Sequence, residues 1–247
     1  MLIVVAAGVL PAACRRSGAE DGAASAATTR KASTPSGSDS VRDSAAIVAA
    51  GGDGGGAHHT LLFIGTSLTA GLGLNPDSAY PQLVQQKIEA DHLPFDVVNA
   101  GVSGETTAGL LRRMDWLMRG KFDVVVIESG ANDGLRGTPV ATVKENLRNV
   151  LRQIRTAHPR AKVVVVQMEA PPNLGPSYTS AFHAIYPEVA REAGATLMPF
   201  LLQGVAGDRA LNQADGIHPN QRGEHIVADN VWKSLEPLLK QAQATGL

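Results

Sequence analysis

Asp215 and His218 stand three residues apart in "DGIHPN". On one tight turn that spacing lets the carboxylate reach the Nδ1–H of the imidazole. It would fix the ring's tautomer and stabilise the imidazolium formed on proton transfer. Nε2 is then free to face a hydroxyl. Pro219 restricts His218 to extended backbone, which limits how the ring is presented. The same four residues also suit a turn whose aspartate caps the last helix. The candidate hydroxyl is Ser67 in "FIGTSLTAGLGL" (63–74), where an apolar run stops at Gly65. Taken alone, Ser67 reads equally well as a turn residue.

Acyl transfer also needs donors for a developing oxyanion, each worth about 3–4 kcal/mol of barrier. Asn132 in "GAND" offers a carboxamide just after an apolar run. Gly104 in "NAGVSGET" offers a backbone N–H in a Gly-rich turn where the main chain can approach a ligand. Ser67 follows its apolar run and opens a short helical turn, so its own N–H points into the same space. Singly, each loop is ordinary turn chemistry, since Gly and Asn favour turns.

These residues need a scaffold that brings distant loops together. From about residue 59 onward, short β-branched runs alternate with longer amphipathic stretches. Strands are predicted at 60–65, 95–99, 123–128, 162–168 and 195–199. They are continuously apolar, as parallel strands buried on both faces must be. Helices are predicted at 77–91, 106–119, 140–157, 178–193 and 222–241, with Thr138 and Pro139 as N-cap and first turn of the third. Five β/α repeats predict one three-layer α/β domain with a parallel sheet over 58–247. Ligands in such sheets sit beyond the carboxyl ends of the strands, where all the residues above fall.

The order is serine in the first loop, glycine in the second, asparagine in the third, and the Asp–His pair before the last helix. Together with "GTSLTAG", "NAGVSGET", "GANDGLRG" and "DGIHPN", it resembles the SGNH hydrolases, the GDSL-type esterase/lipase family, over residues 59–241. "GANDGLRG", "AIYP" (184–187) and "MPF" (198–200) look most like the bacterial arylesterase, lysophospholipase and acyl-thioesterase I branch. The resemblance implies a flavodoxin-like five-stranded sheet of order 2-1-3-4-5. It implies Ser67 as nucleophile, His218 as base then acid, and Asp215 as orienter. The implied oxyanion hole is the N–H groups of Ser67 and Gly104 and the side chain of Asn132. Where the family usually reads Gly-Asp-Ser, this chain has Thr66. A threonine hydroxyl can supply part of that aspartate's local hydrogen bonding. "GTSLT" is not the G-x-S-x-G elbow of α/β-hydrolases, since position 69 is threonine.

A serine ester hydrolase needing no cofactor or metal is therefore expected, acting on aryl or short-to-medium acyl esters, lysophospholipids or acyl thioesters. A carbohydrate acetylesterase is the second reading. A non-catalytic binding module of the same fold is the third, with Thr66 its only hint. The loop "APPNLGPSYT" (170–179) is expected to wall an acyl pocket. Leu72, Leu74 and Tyr80 are pocket or core candidates. Glu128 and Asp133 flank the third loop and are expected to be loop hydrogen-bonders rather than acids in the mechanism. Trp116 and Trp232 fall on helical patterns, and His92, His158, His183 and His225 suit the surface or helix ends.

The net charge of −1 on 247 residues argues against nucleic-acid partners, and a monomer is expected. "MLIVVAAGVLPAAC" (1–14) reads as a signal peptide, and small residues before Cys14 resemble a bacterial lipoprotein cleavage site. That predicts export to the periplasm, with a possible membrane tether through a lipidated Cys14. As the only cysteine, Cys14 precludes an intrachain disulfide. Residues 15–57 are Ser/Ala/Gly/Thr-rich and too apolar-poor to offset ordering entropy, which predicts a disordered tether. His58 and His59 at its end are a weak metal signal.

Overall fold

The computed structural model describes residues 58–246. The expected signal segment 1–14, with Cys14, and the tether 15–57 lie outside the described residues. Five strands form one sheet: β1 (His59–Gly65), β2 (Phe95–Gly101), β3 (Val124–Ile127), β4 (Lys162–Val166) and β5 (Thr196–Met198). All pairs are parallel, in the order β2-β1-β3-β4-β5. Leu61, Leu62, Phe63 and Ile64 of β1 and all of β3 are buried. That explains the unbroken apolar runs: both faces of the central strands lie under helices.

The longer helices are α2 (Tyr80–Ala90), α3 (Thr107–Leu117), α5 (Val140–Ala157), α6 (Pro176–Glu192) and α7 (Gln221–Thr245). Helices α2 and α7 pack together, and α3 and α6 both pack on α5, giving two helical layers around the sheet. Helix α5 shows the cause in its spacing: Val143, Leu147, Val150, Leu151 and Ile154 form one buried stripe. Two short helices sit at the carboxyl edge of the sheet, α1 (Ser67–Ala70) and α4 (Ala131–Leu135).

Several boundaries differ from expectation. The helix predicted over 77–91 is interrupted: Pro76–Ser78 is a separate 3-10 turn and Ala79 is extended. Pro81 in the first turn of α2 has no N–H and cannot continue a preceding helical turn, and the Tyr80 N–H donates to the carboxylate of Glu224 on α7 (2.8 Å). Pro139, not Thr138, is the N-cap of α5, and no side chain caps it. The last helix continues to Thr245 because Leu239 and Ala242 extend its buried stripe. Strand β4 stops at Val166, though the Gln167 N–H still donates to the Met198 carbonyl (2.9 Å).

The chain crosses to β2 on one side of β1 and to β3 on the other. The topological switch therefore lies between β1 and β3, beneath the loops carrying Ser67 and Asn132. Among the described residues no helix is long and apolar enough to cross a membrane.

Candidate active site

Ser67 is the first residue of α1, directly after β1 and Thr66. Its backbone N–H precedes any intrahelical acceptor. The side chain is nearly buried, and Oγ lies 2.8 Å from His218 Nε2. His218 Nδ1 lies 2.7 Å from Asp215 Oδ2. Asp215 Oδ1 accepts the N–H groups of Ile217 (3.0 Å) and His218 (3.1 Å). These backbone bonds, then the His218 ring, hold the Asp215 carboxyl down at about 2. The turn is thus closed by its own aspartate, which remains an anion at any physiological pH. The helix-capping alternative falls to Asn220: its side chain accepts from Arg222 and Gly223 at the start of α7.

The histidine loop is tied to the serine turn by a residue that sequence reasoning passed over. Gln213 takes the His218 carbonyl with its backbone N–H (2.7 Å), and its Nε2 donates to the carbonyls of Leu72 (2.7 Å) and Pro219 (2.9 Å). Gly73 lies against it: a Cβ there would come within 2.4 Å of Gln213 Oε1. A single glutamine between an asparagine and an alanine gives no pattern by which to find it.

Gly104 has φ +76, a backbone a side chain would strain. Its N–H has no acceptor among the described residues, and its carbonyl accepts from Arg136 (3.2 Å). The Glu105–Arg113 ion pair (2.7 Å), with Arg113 also on the Ala100 carbonyl, braces this loop. Asn132 donates one N–H of its carboxamide to the Glu105 carbonyl (3.0 Å), which orients the group and leaves its second N–H. Asp133 accepts Thr107 at both N–H (2.8 Å) and Oγ1 (2.9 Å), joining the third loop to the start of α3.

Ser67, Gly104, Asn132 and His218 all line one cavity of about 470 Å³. Its remaining wall is largely apolar, with Met168, Ala170, Pro171, Pro172, Phe200 and Ile217. The 170–179 loop therefore contributes its first residues, as expected. Tyr80 does not line the cavity. Its ring is wholly buried, edge-on to Phe63 at 5.6 Å. Leu72 is exposed and Leu74 half-buried, and neither reaches the cavity. Phe200, Leu202 and Ile217 were not legible as pocket residues because they come from irregular segments with no periodicity.

The remaining candidates scatter. Trp116 and Trp232 are half-buried against the core. His58 and His59 point to separate carboxylates, Asp96 at 3.1 Å and Asp123 at 3.5 Å. Among the described residues no group of three His, Cys, Asp or Glu is arranged to hold a metal. His92 and His158 end helices, His225 is exposed, and His183 pairs with Glu169 (2.7 Å).

The chain is similar to esterase TesA of Pseudomonas aeruginosa, at 41% identity over 73% of this chain and 89% of that protein. It is 37% identical to the thioesterase 1/protease 1/lysophospholipase L1 of Escherichia coli K12, over 73% of this chain and 85% of that one. The fold superposes on the psychrotrophic esterase EstA from Pseudoalteromonas sp., in a structure inhibited by monoethylphosphonate. That match has a TM-score of 0.70 and 34% identity, and covers 74% of this chain and 99% of that one. Residues 63–226, the stretch from within β1 to the first turns of α7, match the GDSL-like lipase/acylhydrolase family, and the chain belongs to it.

Proposed function

We propose that this protein is a serine esterase that cleaves carboxylic esters through an acyl-enzyme. One observation carries the reading: an unbroken relay runs from Ser67 Oγ through His218 to Asp215, at 2.8 and 2.7 Å. His218 takes the Ser67 proton as Oγ attacks the carbonyl carbon. The carbonyl oxygen, now an anion, is received by the N–H groups of Ser67 and Gly104 and the Asn132 carboxamide. The C–O bond of the leaving alcohol breaks as His218 returns the proton to it. Water, deprotonated by the same imidazole, then attacks the acyl-enzyme and releases the acid and free Ser67. The esterase and thioesterase names of the relatives support the reaction class.

The apolar wall beside Ser67 suits an aryl or short-to-medium acyl group. Lysophospholipids and acyl thioesters present the same reacting carbonyl, and carbohydrate acetate esters are the second reading. Rates on p-nitrophenyl butyrate, lysophosphatidylcholine, palmitoyl-CoA and acetylated xylan rank these. Residues 1–14 are read as an export signal, with Cys14 the lipidation site that would hold the enzyme at a periplasmic membrane surface. The decisive experiment is Ser67→Ala. It is expected to abolish p-nitrophenyl butyrate hydrolysis while leaving the thermal midpoint unchanged. Wild-type turnover by that variant would refute the assignment.

A further inference from the structure

The acyl-transfer steps use no atom of Glu128, yet this side chain is completely buried directly behind the nucleophile turn. It follows β3, and its own N–H donates to the Ile64 carbonyl (2.8 Å), so its backbone is locked into the sheet. Its carboxylate accepts the Thr66 N–H at 2.7 Å and the Thr66 hydroxyl at 2.9 and 3.0 Å. It also accepts the Thr69 hydroxyl at 3.0 Å. Thr69 has a single hydroxyl proton. With that proton on Glu128, the 2.7 Å contact between Thr69 Oγ1 and Tyr80 Oη must be donated by Tyr80. A one-way chain of donors therefore runs from Tyr80 through Thr69 to Glu128. Gly65 is shaped by the same contact: a Cβ there would lie 1.9 Å from Thr69 Oγ1 and 2.8 Å from Glu128 Oε2. Burial pushes the Glu128 carboxyl up to about 7, and the bonds from Thr66 and Thr69 restrain it from going higher.

Thr66 is the residue between this carboxylate and the nucleophile. It does not cap α1 with its side chain, as an N-terminal threonine ordinarily would. Its hydroxyl and its N–H both turn inward to Glu128. The next peptide group carries the Ser67 N–H. We propose that Glu128 is a positioning residue for acyl transfer: by clasping Thr66 at N–H and Oγ1, it fixes the peptide that aims both the Ser67 Oγ and the Ser67 N–H at the reacting carbonyl. This inference rests on the serine-esterase reading. Its physical content is that a donor misaimed by a fraction of an ångström loses transition-state binding while ground-state binding is untouched.

The test is turnover per active site in the full chain, with sites titrated by a fluorophosphonate. A purely structural role would lower the number of titratable sites and the thermal midpoint, but not the turnover of each site. Assays at pH 8 with p-nitrophenyl butyrate compare Glu128→Gln, Thr66→Val and Thr66→Ser with Ser67→Ala as the control. Glu128→Gln and Thr66→Val are each expected to lower kcat per titrated site about tenfold or more, with KM within about twofold, since removing a whole oxyanion donor costs about 10²–10³. Thr66→Ser keeps the hydroxyl and is expected to stay close to the wild type. Should Glu128→Gln fold poorly, the Thr66 pair alone decides. If Ser67→Ala is dead but Glu128→Gln or Thr66→Val turns over at the wild-type rate per site, this inference is overturned and the esterase reading stands. If Ser67→Ala retains hydrolysis, the esterase reading itself has failed.

Discussion

Asp215 divides its two oxygens between two tasks: Oδ1 closes the turn on two backbone N–H groups, and Oδ2 faces the His218 ring. Asp215→Asn separates them. The carboxamide oxygen can still close the turn, but the NH₂ then meets Nδ1 and favours the tautomer with its proton on Nε2. That ring cannot accept from Ser67. The expected loss is about 10⁴ in kcat, with the thermal midpoint little changed, as a pH-rate and melting comparison would show. The carboxyl of Asp215 stays ionised down to about pH 2. Between pH 5 and 8 the charge on Asp215 is therefore constant, and it contributes nothing to any slope of kcat/KM with pH there. Ser67, Asn132, Asp215 and His218 were legible because their chemistry is tied to residue type. Gln213 was not, because its role is purely geometric: it meets the Leu72 carbonyl (2.7 Å) across 141 residues of chain.

Among the elements, α7 carries a burden that its amphipathic pattern hides. Glu224 in its first turn is buried and takes one hydrogen bond, from the Tyr80 N–H. Burial pushes its carboxyl from 4.5 up to about 8, with that single bond opposing the rise. The folded state thus holds a proton that the unfolded chain releases near 4.5. The associated stability is fully present below that value and is lost as pH rises through about 8. Glu128, raised to about 7, acts in the same direction. The thermal midpoint is expected to drop by several degrees between pH 5 and 9, at about 2–4 °C per kcal/mol for a chain of this size. Glu224→Gln should flatten the upper part of that drop, because its carboxamide oxygen can still accept from Tyr80. An unchanged slope in a calorimetric pH series would exclude Glu224 as its source. The parallel sheet followed from the alternation of apolar runs, its strand order from the family resemblance alone, and α5 from its stripe. The break at Ala79 has one cause that the sequence carries, Pro81 in the first turn of α2, and one that it hides, the Glu224 carboxylate on the last helix.

At the scale of the whole molecule, the described residues hold both an extended apolar core and the cavity beside Ser67. The apolar core draws on all five strands and all five long helices, from Leu61 to Ala242. The cavity beside Ser67 is closed by residues between Thr66 and His218. The link nearest the N-terminal end of the described residues is His58 with Asp96 at 3.1 Å, between side chains both more than half exposed. Such a pair contributes about 0–1 kcal/mol, too little to decide whether the domain folds. A chain beginning at residue 58 is therefore expected to melt where the full chain does, and to hydrolyse p-nitrophenyl butyrate with the same kcat/KM. Membrane recruitment is a separate property under the proposed lipidation of Cys14. In the full chain, Cys14→Ser should move the protein from the membrane fraction to the soluble one without altering kcat/KM on that substrate. Partitioning of the two chains after expression with an intact export pathway, together with one esterase assay on each fraction, checks both halves. A truncated chain that is inactive would place part of the catalytic domain before residue 58. A Cys14→Ser chain that stays with the membrane would overturn lipidation at that residue.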